Sequence, residues 1–175
     1  QKYRESVLKD VVDATGATVV HPYNDERIMA GQGTCAKELL EDVPDLDSIV
    51  SPVSGGGLLS GSLLAAKNMK SSITVYGAEP EEADDAYQSL KLGRIVPNKT
   101  INTICDGLRA QIGSKTFPVI QNLVDDIIPI AEKDIINALR MIWERLKIIV
   151  EPSCSIALAL IINNKQLFEG RNVGL

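Results

Sequence analysis

At 175 residues the chain can bury one good core, and 45% hydrophobic with 23% charged residues is the ordinary composition of a soluble globular domain. A net charge of −5 and a pI near 4.9, with the basic residues scattered, argue against a nucleic-acid partner, because neutralising phosphates needs clustered Lys and Arg. No apolar run approaches the ~18 residues that span a bilayer, the polar opening does not read as a secretory signal, and three widely spaced cysteines with a single His disfavour a disulfide framework, a zinc site or a His-based triad.

In chain order, Tyr3, Val7, Leu8, Val11 and Val12 fall at helical spacing, and Gly16 can end that helix. Ala17–Val20 predicts a strand closed by His21 and Pro22. A second helix is expected from about Glu26 to Val43, with Ala36, Leu39, Leu40 and Val43 on one face. Asp47–Val53 reads as a strand, Leu58–Met69 as a helix, and Ile73–Ala78 and Ile127–Ile130 as further strands. Ile135, Leu139, Ile142 and Leu146 form one helical stripe, and Ser153–Asn163 is apolar almost all round, the pattern of a buried helix. Leu92–Asp106 and the tail near Gly170 read as irregular. Asn172–Leu175 looks like the opening of a strand, which predicts a truncated chain. Strands alternating with helices imply βαβ units, a mostly parallel sheet and the α/β class. Cys35, Cys105 and Cys154 are expected to be reduced and to fill small core positions, which favours the cytoplasm.

Two segments carry candidate chemistry. Val53–Gly61 joins a strand to a helix through three consecutive glycines. Such a loop brings backbone N–H groups and a helix N-terminus to bear on an anion, and phosphate is the natural guest. Ser54 adds a hydroxyl. Neither the Walker pattern nor Gly-x-Gly-x-x-Gly is present. A turn that needs glycine for packing alone is the competing reading. Glu79–Asp85 places several carboxylates just after a strand, where α/β sheets collect ligands. These oxygens suit a hard cation, while a solvated acidic loop is the alternative.

Val19–Pro22, Ala30–Thr34, Ser51–Gly57, Ala78–Pro80 with Ala83–Asp85, Tyr87–Ser89, Asp106–Gly107, Trp143–Arg145 and Glu151–Pro152 stand in one characteristic order. In that order the chain resembles the serine racemase and serine/threonine dehydratase family, fold-type II enzymes that use pyridoxal 5'-phosphate (PLP). The resemblance covers essentially the whole chain. It implies a tryptophan synthase β-like fold cut at both ends: residues 1–24 as the last helix and strand of a small domain, and 25–175 as an incomplete large PLP-binding domain. It implies that Ser54, Gly55, Gly56, Gly57 and Leu58 hold the PLP phosphate, with serine where glycine is common at position 54. Glu79, Asp85 and the Ala83 carbonyl match a Mg²⁺ site (or Mn²⁺/Ca²⁺), and Asp47 matches a position linked to a further cation. Lys147 matches a residue near the site of ATP as effector, or is a solvated helix lysine. Asp106, Gly107 and Glu151 would lie close to the cofactor ring. Tyr23 stands where some relatives carry an Asn near the cofactor, so that contact is not carried over.

The implied activity is racemisation of serine with ammonia-lyase activity on the same substrate. Threonine or 3-hydroxyaspartate dehydration is an alternative, as is a noncatalytic phosphate- or PLP-binding module. A cytoplasmic homodimer is expected when full length. The family's Ser-Phe-Lys-x-Arg-Gly motif with its cofactor-anchoring lysine, the serine base of the opposite face, and the Ser-Gly-Gly-Asn segment are all absent. No catalytic residue is therefore expected in this chain, and the chain alone should be inactive.

Overall fold

The computed structural model describes residues 2–175, with side chains described from residue 6 onward; Tyr3 of the predicted first stripe lies outside those side chains. Four strands form one parallel sheet in the order β3-β2-β1-β4, where β1 is Ser48–Pro52, β2 Thr74–Pro80, β3 Asp126–Ile130 and β4 Val173–Gly174. The register sets Val50 opposite Tyr76 and Ala78 opposite Ile128.

Alternate strand residues feed two cores, as a period of two requires. Ile49, Val75 and Ile127 face α2 (Glu26–Asp42), α3 (Gly57–Met69) and α5 (Thr116–Leu123). Val50, Ala78 and Ile130 face α6 (Glu132–Met141) and α7 (Pro152–Asn163). Burial on both faces is why these strands are apolar runs rather than alternations of apolar and polar residues. α7 is apolar all round because it lies in the second core, and Pro152 at its first turn fits a position where the N–H has no partner. Two short helices complete the set, α4 (Asp85–Leu92) and α8 (Lys165–Phe168), after α1 (Lys2–Thr15) at the start.

The pairing of α2 with α3 positions the loop between β1 and α3. Asp25 caps α2, its carboxylate taking the Arg27 N–H at 2.9 Å. Further along, a Cβ on Gly61 would sit 2.3 Å from the Met29 carbonyl oxygen and 2.5 Å from the Gly33 nitrogen. The two helices touch backbone to backbone there, which fixes the start of α3 against α2.

Three expectations are corrected. Ala17–Val20 is not a strand: its residues are exposed and form no ladder with any strand among the described residues, and the Ala17 N–H donates to the Thr15 hydroxyl at 3.3 Å instead. The stripe Ile135–Leu146 breaks at its end. Ile135 and Ile142 are buried, but residues Ile142–Leu146 widen into a π turn that rotates Leu146 to the surface. Of the cysteines, only Cys105 is buried; Cys35 and Cys154 are exposed, and all three are free thiols. Burial pushes the Cys105 thiol up to about 11.

Candidate functional site

At the carboxyl end of β1 the chain turns through Val53–Gly56 into α3. Two residues make that turn in the left-handed region, Ser54 at φ 52° and Gly56, the N-cap of α3, at φ 86°. A side chain at Gly56 would meet Ile120 Cδ1 and Thr116 Oγ1, both at 2.8 Å. The Gly55 carbonyl accepts the Thr116 hydroxyl at 2.7 Å and the Gly113 N–H at 3.2 Å. The loop is thus anchored from below by the segment that opens α5. In the first turn of α3 the N–H groups of Gly57 and Leu58 have no acceptor within the helix, and they carry its positive dipole end.

These residues wall a cavity of about 610 Å³, completed by Pro22, Tyr23 and Gln32 on one side and by Ile101 and Asp106–Ala110 on another. Its size is that of a small-molecule site. Tyr23 packs its ring flat on the loop, so that a Cβ on Gly55 would lie 2.4 Å from the ring. The ring is held there by a knot. His21 Nδ1 accepts the N–H groups of Tyr23 (3.3 Å) and Asn24 (2.9 Å), and Asn24 Oδ1 accepts the Lys115 N–H at 2.7 Å. Sequence reading set Tyr23 aside and missed Asn24 and Thr116. The only local signal was a Pro-Tyr-Asn turn before a helix, and the partners lie some 90 residues away.

Of the residues expected near the cofactor ring, Asp106 and Gly107 line the cavity. Glu151 stands behind Gly107, its Oε1 3.6 Å from where a Cβ would be, and the Gly107 N–H donates to Ser153 Oγ at 3.2 Å. Ser54 Oγ receives only a long contact, 3.4 Å from the Ala110 nitrogen. Among the described residues no lysine lines the cavity.

The acidic segment follows β2 in the 3-10 turn Glu81–Ala83 and the start of α4. Glu79, Ala83 and Asp85 are buried together, while Glu81 and Glu82 are exposed. Glu79 accepts the N–H groups of Ala86 (3.3 Å) and Tyr87 (2.9 Å). Asp85 accepts the Ile112 N–H (2.7 Å) and Asn98 Nδ2 (2.8 Å). Among the described residues neither carboxylate has a cationic side chain as partner. Burial, and then the neighbouring Asp85, push the Glu79 carboxyl well above its usual range; burial pushes Asp85 up to about 6. Two buried acids side by side need a proton or a cation between them. Among the described residues no three His, Cys, Asp or Glu side chains gather as a ligand set, so a cation here would rest on two carboxylates, carbonyl oxygen and water.

Two further candidates lie apart. Asp47 is at the opposite, amino end of β1, where its carboxylate takes the Asn172 N–H at 2.9 Å and ties β4 to the sheet. Lys147 is exposed at φ 61°, just past the π turn, and does not line the cavity. Among the described residues no helix is long and apolar enough to cross a membrane.

The model of the family described as "Pyridoxal-phosphate dependent enzyme" matches residues 1–175. A serine racemase of Arabidopsis thaliana is 48% identical over 177 residues, covering 98% of this chain and 54% of its own length. A beta-hydroxyaspartate dehydratase of Paracoccus denitrificans is 42% identical, covering 98% of this chain and 55% of its own length. The solved structure of maize serine racemase superposes with a TM-score of 0.94 at 45% identity, over 98% of this chain and 54% of that one. The chain therefore spans about half the length of the relatives it matches.

Proposed function

The chain belongs to the pyridoxal-phosphate dependent enzyme family, and on that premise we propose that it supplies the phosphate grip and the divalent-cation site of a serine racemase that also eliminates ammonia from serine. The observation that carries this is the Ser54–Leu58 loop: left-handed at Ser54 and Gly56, seated on the N-terminus of α3, and open to a cavity of cofactor size. When bound, PLP supplies the electron sink that lets the α-hydrogen of an amino acid leave as a proton. The residues of this chain do the holding. Main-chain N–H groups of Gly55, Gly57 and Leu58 and the α3 dipole take the phosphate, with the Ser54 hydroxyl as a further donor, while the Gly56 N–H closes the turn on the Val53 carbonyl at 3.0 Å. Asp106 and Gly107 on the cavity wall, with Glu151 behind Gly107, are assigned to the side of the cofactor ring, and Tyr23 walls the side next to the loop. The groups that take and return the α-proton are assigned to the part of the protein outside this chain; among the described residues no lysine lines the cavity.

Glu79, Asp85 and the Ala83 carbonyl are assigned to Mg²⁺ or a similar ion, Mn²⁺ or Ca²⁺, with water completing the shell. Such an ion would relieve the repulsion of two buried acids and brace the junction of β2 with α4. A further cation at Asp47 has to compete with the Asn172 N–H. Lys147 is carried as the nucleotide-facing position of an ATP-responsive enzyme, supported by its exposure beside a strained turn. Residues 1–24 are assigned to the small domain and 25–175 to the large one; the full-length protein is read as a cytoplasmic homodimer, and its free thiols suit that compartment.

The test uses the full-length protein that carries this chain. It is expected to bind PLP, to interconvert L- and D-serine, and to release ammonia from serine. Turnover of threonine or 3-hydroxyaspartate in place of serine would move the assignment to the corresponding dehydratase. PLP binding without turnover of any of the three would favour a noncatalytic module.

A further inference from the structure

Among the described residues that line the cavity, Arg109 is the only Lys or Arg. It follows the 3-10 turn Asp106–Leu108, and its guanidinium donates from Nε and Nη2 to the Thr103 carbonyl, 3.2 Å from Nε. The segment that offers this carbonyl is itself fixed. The Thr103 hydroxyl donates to Glu132, whose other oxygen takes the Ile104 N–H at 3.1 Å, and Glu132 opens α6. Arg109 is thus pinned by a neutral acceptor. Among the described residues no carboxylate forms an ion pair with it. A guanidinium presents more N–H donors than one carbonyl engages, in a planar fork that matches carboxylate and phosphate. The next residue, Ala110, brings its N–H to 3.4 Å from Ser54 Oγ, so the arginine stands next to the glycine loop.

We infer that Arg109 forms an anion subsite in this cavity, taking a phosphate or carboxylate group of the bound molecule in addition to the main-chain donors of the loop. The identity of that molecule rests on the proposed function; the anion preference does not. Two sources share the chemistry: the cofactor phosphate, and a carboxylate of the substrate. The second carboxylate of 3-hydroxyaspartate would make Arg109 a specificity residue. Arg109 is exposed, but its guanidinium is held by the Thr103 carbonyl before a ligand arrives and so loses little freedom on binding.

The experiment compares full-length wild type with Arg109→Gln and Arg109→Lys. PLP affinity is read by absorbance titration of apoprotein, and KM is read for serine and for 3-hydroxyaspartate. Loss of a charge-assisted pair weakens its ligand by about tenfold or more. A weaker PLP affinity assigns the phosphate; a higher KM for both substrates assigns the α-carboxylate; a higher KM for 3-hydroxyaspartate alone assigns its side-chain carboxylate. Arg109→Lys should recover part of the loss. All three quantities within about twofold of wild type in folded Arg109→Gln would overturn the inference. Should that variant not fold, the rise in melting temperature caused by inorganic phosphate and by malonate is compared between wild type and Arg109→Lys. A smaller rise in Arg109→Lys supports the subsite, and equal rises overturn it. A wild type that binds no PLP defeats the proposed function, while the phosphate and malonate shifts still test Arg109.

Discussion

Gly56 carries two constraints at once, a left-handed backbone and a wall of Ile120 and Thr116 where a side chain would go. Gly56→Ala should therefore cost about 2–3 kcal/mol, roughly 1–2 from the backbone and the rest from the clash, and PLP affinity should fall with it. Chemical denaturation and a PLP titration of the full-length variant check both; stability within about 0.5 kcal/mol of wild type would mean the loop is not held as described. At the acidic pair, Glu79→Ala should abolish the rise in melting temperature that Mg²⁺ gives wild type, and an unchanged response would remove Glu79 from the ligands. The pH dependence follows from the same pair. Asp85 titrates near 6 in the fold against 3.8 in the open chain, and Glu79 is shifted upward as well. Between those values the folded form binds more protons at this pair than the unfolded one, so the pair's contribution to stability is full below about 4 and is lost as pH rises through about 6. Melting of chelator-treated protein from acid to neutral pH should show that decline, and added Mg²⁺ should reverse it at neutral pH. At this scale the sequence points to short continuous segments, the Ser54–Leu58 loop on the cavity wall and the Glu79–Asp85 run with its two buried carboxylates. It gave Tyr23 no role and was silent on Asn24 and Thr116, whose partners lie far along the chain, and on Arg109, which is held by a carbonyl six residues before it.

Among the elements, those with long apolar periodicity were readable: α2, α3, α6 and α7 lie where the spacing predicts, as do β1, β2 and β3. α4 and α5 were not, being eight residues each, too short to show a repeat. Ala17–Val20 failed for a different reason. Strand propensity is local, but a strand exists only with a neighbour. The end of α6 shows a third limit, since a π turn shifts the phase of every residue after it. That shift makes a prediction. Ile135→Ala should cost about 2–5 kcal/mol as a buried truncation, whereas Leu146→Ala, 63% exposed, should cost less than about 1 kcal/mol. Equal losses at the two positions, measured by urea denaturation, would restore the unbroken stripe.

Across the whole molecule, the parallel sheet, its two cores and the carboxyl edge that carries the candidate site follow from alternating strands and helices. The loop of β1 and the acidic pair of β2 sit at that edge, and Asp47 at the other end serves the sheet itself. Val7, Leu8, Val11, Val19 and Val20 remain exposed, and α1 runs into a segment that meets the sheet domain through Tyr23 and Asn24. That uncovered apolar face, with a match to about half the length of the relatives, supports assigning residues 1–24 to a second domain. The central claim is that this chain grips the phosphate while the lysine that anchors the cofactor lies outside it. The most direct measurement is borohydride reduction of the full-length protein saturated with PLP, followed by mass-spectrometric location of the modified residue. The account predicts one labelled lysine outside the stretch described here as residues 1–175; stoichiometric labelling of a lysine within it would contradict the account.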